Sequence, residues 1–245
     1  MTWAIGIDIG GTEIKAVAAD DTGGILDQAK RPTHDPRDSD DDWAGSAREL
    51  VAAFEAGRDS AADAVGVCAP GLAAADRRSI AYLPGKLAGM EGFDWTRALR
   101  RDALVPVLND AHAAILGETW VGAAAGKQHV VLLTLGTGVG GAVMVDGTLL
   151  KGKIGRAGHL GHMSLDPDGP VSITGMPGAV EVMIGDCTIG ERSGGRFQST
   201  AELVAALQHG DDAARSLWLR SIHAFGTAIA SYINLFDPET LVLAG

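Results

Sequence analysis

The chain has 245 residues, 46% of them apolar, enough for one large or two medium cores. Its formal net charge of −11 argues against a broad attraction for nucleic acid or for an anionic membrane surface. Two widely separated cysteines, Cys68 and Cys187, make no disulfide framework and suit a reducing cytoplasm, and Met1-Thr2-Trp3-Ala4 has neither the basic region nor the cleavage site of a secretory signal.

In chain order, Ile5-Gly6-Ile7-Asp8-Ile9 reads as a strand ended by Gly10-Gly11-Thr12. An apolar second strand and the tight turn Asp21-Thr22-Gly23-Gly24 lead into a third. Arg31 to Asp42 is charged and reads as a mobile connector. Asp41 to Arg58 has the period of an amphipathic helix, with Trp43, Ala47, Leu50, Val51 and Phe54 on one side and Asp40 to Asp42 at its start, where negative charge suits the helix dipole. Ala64 to Cys68 is a short strand broken by Pro70-Gly71. Val105 to Leu108 is another, followed by Asn109-Asp110 and a helix to about Val121. The uncharged stretch Val130 to Val145 is too short to span a bilayer comfortably. With Gly136, Gly138, Gly140 and Gly141 in its middle it reads as two buried strands joined by a glycine turn. Thr200 to Gln208 and Asp212 to Phe236 read as helices, Pro238 follows, and Thr240 to Ala244 is a last strand. Strands alternating with helices indicate an α/β protein. The strand–glycine turn–strand–Asp/Gly turn pattern occurs twice, which predicts two lobes of like design.

Three places could carry chemistry. Asp8-Ile9-Gly10-Gly11-Thr12 lets backbone N–H groups and the Thr12 hydroxyl approach a phosphate closely, with Asp8 as a water-mediated anchor for magnesium. Taken alone it reads as an ordinary hairpin turn, but the second turn, Gly136-Thr137-Gly138-Val139-Gly140-Gly141, shifts the balance to the phosphate reading. Asp110, at the end of a strand and the start of a helix, could accept a proton from a substrate hydroxyl while Asn109 bonds another; spacing alone favours a helix cap. His159 and His162, in Gly158-His159-Leu160-Gly161-His162, lack the further ligands of a metal site and fit a polar loop facing carbohydrate. Glu181 is either a solvated helix charge or a ligand for a sugar hydroxyl. The five tryptophans read as core or interface packing.

In this order, these motifs resemble the ROK family of bacterial sugar kinases and related repressors, from Ile5 to Gly245. The resemblance implies the two-lobed actin-like ATPase (ribonuclease H-like) fold, a mixed sheet with helices in each lobe. It assigns residues 1–118 to an N-terminal lobe with the first phosphate motif and the catalytic Asp. Residues 119–245 form a C-terminal lobe with the second phosphate motif and the sugar loop. It implies ATP and Mg2+ held by Asp8, Gly10, Gly11, Thr12, Gly136, Thr137 and Gly138. Asp110 becomes the general base, and Gly71, Asn109, Asp110, His159, His162 and Glu181 line the sugar site. Homodimers are common in the family.

Several residues depart from the family pattern. The zinc motif Cys-x-Cys-Gly-x-x-Gly-Cys reads Ser172-Ile173-Thr174-Gly175-Met176-Pro177-Gly178-Ala179, so no zinc and no other protein-held metal is expected. His159 stands where many of the family's glucokinases have Glu, and N-acetylmannosamine kinases carry a similar loop, which leaves an N-acetylated hexosamine open. The first motif begins at Asp8, so the repressors' winged helix-turn-helix, and with it a transcription factor, is not expected. The family's fold continues beyond the strand ending at Ala244, so the sequence is expected to be incomplete at its C-terminus. The expected activity is ATP-dependent phosphorylation of a hexose or N-acetylhexosamine. The alternative is a sugar-binding relative with little or no kinase activity.

Overall fold

The structure, a computed structural model, describes residues 2–33, 43–85 and 87–245. The chain forms two compact units, one of Met1–Ala113 with Lys151–Arg156, the other of Ala114–Leu150 with Ala157–Gly245.

The first unit opens with an antiparallel meander, β1 (Trp3–Ile9), β2 (Glu13–Asp20) and β3 (Ile25–Pro32). Next come helix α1 (Trp43–Ala56), strand β4 (Ala64–Ala69), a short hairpin β5 (Leu72–Ala73) and β6 (Ile80–Tyr82), helix α2 (Trp95–Ala98) and strand β7 (Val107–Asn109). The main sheet runs β3-β2-β1-β4-β7, with β4 parallel to both β1 and β7. Strict alternation puts Trp3, Ile5, Ile7 and Ile9 of β1 on the buried face with Ile14, Ala16 and Ala18 of β2 and Val65, Val67 and Ala69 of β4. Trp43, Ala47, Leu50, Val51 and Phe54 of α1 are buried in the same cluster, the face read from the sequence. Each large side chain buried this way contributes about 1.5–3 kcal/mol. Trp43, Phe93 and Trp95 form an aromatic trio with ring centroids 4.7 to 5.4 Å apart.

Three sequence expectations shift here. The acids Asp40 to Asp42 and most of the expected connector lie outside the described residues, but Arg31 and Pro32 belong to β3. The strand expected from Val105 begins at Val107. Pro106 has no N–H to give, and only its carbonyl meets β4, accepting from Val67 N at 2.9 Å. Trp120 is 54% exposed and so stands outside the core, unlike Trp3, Trp43 and Trp95.

Helix α3 (Asp110–Trp120) follows β7 directly, and the boundary between the units falls inside it. The second unit has antiparallel strands β8 (Val130–Leu135), β9 (Val139–Val145) and β10 (Thr148–Leu149). Its helices are α4 (Val180–Ile184), α5 (Ile189–Arg192), α6 (Thr200–Gln208) and α7 (Asp212–Phe236), with 3-10 turns at Leu160–His162 and Asp186–Thr188. Strand β11 (Thr240–Ala244) completes the sheet parallel to β8, in the order β10-β9-β8-β11. Val130 to Leu133 are buried on both faces, as an unbroken apolar run requires. Asp211 starts α7 by accepting from Ala214 N at 2.9 Å. Asp237 ends it in the left-handed region at φ 42°, and Pro238 prevents continuation. Tyr232 and Ala228 of α7 pack against Val131, Leu133, Val139, Val143, Leu160 and Val180. Among the described residues no helix is long and apolar enough to cross a membrane.

Candidate active site

In the first unit the sequence-predicted residues gather at the carboxyl ends of parallel strands, where open α/β sheets bind ligands. Ile7 and Ile9 point into the core, so strand alternation sends Asp8 to the opposite face. The register places Lys15 opposite it on β2 and Cys68 beside it on β4. The Cys68 thiol donates to Asp8 Oδ1 at 3.6 Å. Burial raises the Asp8 carboxyl above the usual carboxylate range; the thiol acts against this, and the negative charge of Asp110 adds to it. Burial, with the two carboxylates, holds the Cys68 thiol well above its ordinary value.

The turn after Asp8 is tight. Gly10 N donates to Glu13 O at 3.0 Å, and a Cβ on Gly10 would lie 2.8 Å from that oxygen. Thr33 ties the turn to β3, its hydroxyl donating to Gly10 O at 2.8 Å and its N–H to Thr12 O at 2.9 Å. Gly11 and Thr12 are exposed beside a cavity of about 710 Å³ lined by Asp8, Gly10, Thr12, Glu13, Lys15, Lys30, Arg31 and Pro32. Lys15 and Lys30 bring positive charge to this cavity and were not singled out in the sequence. The signal was available: counting across a hairpin about Gly10–Thr12 puts Lys15 opposite Asp8.

Asp110 is exposed at the first position of α3, and it is not the helix cap. Asn109 caps the helix instead: its Oδ1 accepts from Ala111 N at 3.0 Å and from His112 N at 3.3 Å. The Asn109 amide donates to Gly71 O at 3.0 Å. With its side chain buried and one amide hydrogen uncommitted, Asn109 chiefly locks two neighbouring segments together. Gly71 sits at φ +98°, where a Cβ would meet Tyr82 O at 2.5 Å; only glycine fits this corner. Asp110 Oδ1 accepts from Ala111 N at 2.8 Å, which fixes the carboxylate's orientation.

In the second unit, Gly136, Thr137 and Gly138 form the turn between β8 and β9, with Gly136 N donating to Gly138 O at 3.1 Å. The 3-10 turn behind it holds its carbonyls, Asp186 N donating to Gly136 O and Cys187 N to Thr137 O, at 3.3 and 2.8 Å. His159 and His162 flank a loop lying on β9, their rings 6.4 Å apart and stacked. The buried Tyr232 hydroxyl donates to Leu160 O at 2.7 Å and anchors the loop from α7; burial pushes its phenol up. His162 Nδ1 is buried with no hydrogen-bond partner among the described residues, a place for a ligand hydroxyl. Glu181, first-turn residue of α4, accepts from Val139 N through Oε2 at 3.0 Å and so lies on the glycine turn itself. A second cavity, of about 750 Å³ along α4 and α7, contains none of the predicted residues.

The donors at Ser172 to Ala179 do not suit zinc. The Ser172 and Thr174 hydroxyls bond to each other at 3.0 Å, and Ser172 Oγ also accepts from Met176 N at 3.2 Å. Ser172 N donates to Met176 O and Ser164 Oγ to Pro177 O, at 2.8 and 2.6 Å, so the segment closes on its own hydrogen bonds. Among the described residues no group of three His, Cys, Asp or Glu side chains could hold a metal ion.

Two mixed sheets with helices, each carrying a glycine turn after its leading strand, define the α/β fold of the actin-like ATPases. The ROK family model matches residues 4–245, and the chain belongs to the ROK family. It is 30% identical to a glucokinase of Thermotoga maritima, over 98% of this chain and 81% of that one. It is also 30% identical to an N-acetylmannosamine kinase of Shigella boydii, over 98% and 82%. The crystal structure of a ROK family glucokinase from Streptomyces griseus in complex with glucose and AMPPNP matches with a TM-score of 0.75 at 28% identity, over 98% and 82%.

Proposed function

We propose that the protein is an ATP-dependent kinase of a hexose or an N-acetylhexosamine. The reading is carried by Asp110: an exposed carboxylate at the carboxyl end of β7, its orientation fixed by Ala111 N, within electrostatic reach of Asp8. Asp110 takes the proton of the sugar hydroxyl as that oxygen attacks the γ-phosphorus of ATP. Gly10, Gly11 and Thr12 in one unit and Gly136, Thr137 and Gly138 in the other supply the close backbone approach that phosphates need. Asp8 suits a water-mediated hold on Mg2+, which when bound neutralises phosphate charge. In the second unit His159, His162 and Glu181 offer donors and acceptors to a sugar, and in the first Asn109 ties Gly71 to the start of the helix that carries Asp110. The Streptomyces griseus relative, solved with glucose and AMPPNP, supports a sugar and a nucleotide as the two ligands.

A coupled ADP-release assay over a panel of hexoses and N-acetylhexosamines tests the reading. Turnover on at least one sugar is expected, and none across the panel refutes it. His159, an imidazole where many of the family's glucokinases carry Glu, favours the rival reading of a sugar binder with little kinase activity. In that case the same panel would give sugar binding without ADP release.

The self-closed segment from Ser172 to Ala179 leads us to propose a protein without stoichiometric zinc. Elemental analysis should find none, and a strong chelator should leave the melting temperature unchanged. One zinc per chain, or a chelator-dependent melt, would overturn this. Ser172→Ala should cost about 1 kcal/mol, the usual worth of such hydrogen bonds, and lower the melting temperature by about 2–4 °C for a chain of this size.

A further inference from the structure

The second glycine turn already holds an anionic side chain. Its carbonyls are taken up from behind by Asp186 N and Cys187 N. At its exit Val139 N donates to Glu181 Oε2 at 3.0 Å. The same carboxylate covers Gly138 so closely that a Cβ there would overlap Glu181 Oε2. A carboxylate oxygen uses a backbone N–H in the way a phosphate oxygen does, and its charge opposes a second anion arriving at the turn. Glu181 is also held in place from its own main chain, since Gly185 N donates to Glu181 O at 2.7 Å and ends α4 at once. Only the side chain is left to move.

We propose that Glu181 couples the sugar site to the phosphate turn. Without sugar its carboxylate rests on the Gly138–Val139 corner and opposes an incoming phosphate; a sugar hydroxyl that claims the carboxylate draws it away and opens the corner. The inference rests on the reading above, in which this turn takes phosphate and Glu181 meets the sugar. It adds a consequence that neither role has alone: the nucleotide binds more tightly to the sugar-loaded protein. By linkage the nucleotide tightens sugar binding by the same factor. The differential interaction is the repulsion present in one state and absent in the other, which is what a population shift requires.

The test is calorimetric titration of the full chain with Mg–AMPPNP, alone and with saturating glucose or N-acetylmannosamine. A roughly five- to tenfold tightening by the effective sugar is expected, at the low end of typical coupling. Glu181→Gln keeps an acceptor for Val139 N and removes the charge. It should bind Mg–AMPPNP more tightly than the wild type without sugar, and most of the sugar effect should vanish. Glu181→Ala, which makes no new bond, should move the same two quantities in the same direction. If Glu181 served the sugar alone, nucleotide affinity without sugar would not change. If it merely braced the turn, that affinity would fall in Glu181→Ala, which loses the bond to Val139 N, and would not rise in Glu181→Gln, which keeps it. Either result overturns the proposal, as does a wild type whose nucleotide affinity ignores sugar. A wild type that binds no Mg–AMPPNP under any condition removes the phosphate reading of the turn as well, so the two failures are distinguishable.

Discussion

Replacing Asp110 by asparagine should lower turnover by about 10²–10⁴-fold, the usual worth of a general base, while sugar binding largely survives. Asparagine keeps the size of the side chain and its capacity to hydrogen-bond, but it cannot accept the proton of the attacking hydroxyl. The fold should tolerate the change, because α3 does not depend on Asp110 for its cap: Asn109 serves Ala111 N and His112 N. What is lost structurally is a favourable charge at a helix N-terminus, about 0.3–1 kcal/mol. Steady-state kinetics on the preferred sugar, with calorimetric sugar binding alongside, separates the two effects. Near-full turnover in Asp110→Asn would sink the proposed mechanism. Asn109→Ala is the instructive contrast. It leaves the carboxylate in place but removes a cap and the bond to Gly71 O, so stability should fall along with activity.

The elements best legible in the sequence were those whose signals are local. Helix α6 begins where Ser199 Oγ accepts from Glu202 N, and α7 runs from the Asp211 cap to the left-handed Asp237 before Pro238. Caps, periodicity and a following proline all lie within a few residues of the boundary they set. The two meanders were legible for the same reason, each marked by glycines and an Asp/Gly turn. Elements lacking such marks were not. The hairpin of β5 and β6 has strands of two and three residues, too short to show alternation. The return of Lys151–Arg156 to the first unit, against Ala73 at Gly155, is a long-range arrangement with no local signature. The site divides likewise. Asp8 and the glycine turns are read from adjacent residues. The Cys68 bond to Asp8 and the Glu181 bond to Val139 depend on register and on packing across the fold. Even the Asn109–Asp110 pair was ambiguous, because either residue caps a helix well and only the backbone decides which one does.

Gly161→Ala should displace the loop that carries both histidines and weaken sugar binding far more than nucleotide binding. The strands and the loop explain why. Gly161 lies in the 3-10 turn Leu160–His162, packed flush on β9, and a Cβ there would collide with Val139 O, a backbone atom of a central strand. The strand cannot yield, since Val139 pairs with Leu135 of β8 and its side chain is buried in the core of the second unit. The loop must lift instead, and it is tethered on its other side by the Tyr232 hydroxyl at Leu160 O. Forcing extra volume into a packed contact costs about 1–3 kcal/mol. Taken wholly from sugar affinity, that corresponds to roughly a five- to 150-fold rise in the sugar's Kd. The melting temperature should fall modestly, because the sheet and α7 retain their packing. Tyr232→Phe offers the complementary loosening: it frees the loop from α7 without adding volume, so its effect on sugar affinity should be smaller. Calorimetry of both variants with the preferred sugar decides the matter. If Gly161→Ala binds sugar like the wild type, the histidines at positions 159 and 162 are not held by this contact, and the sugar-binding role given to the loop loses its structural support.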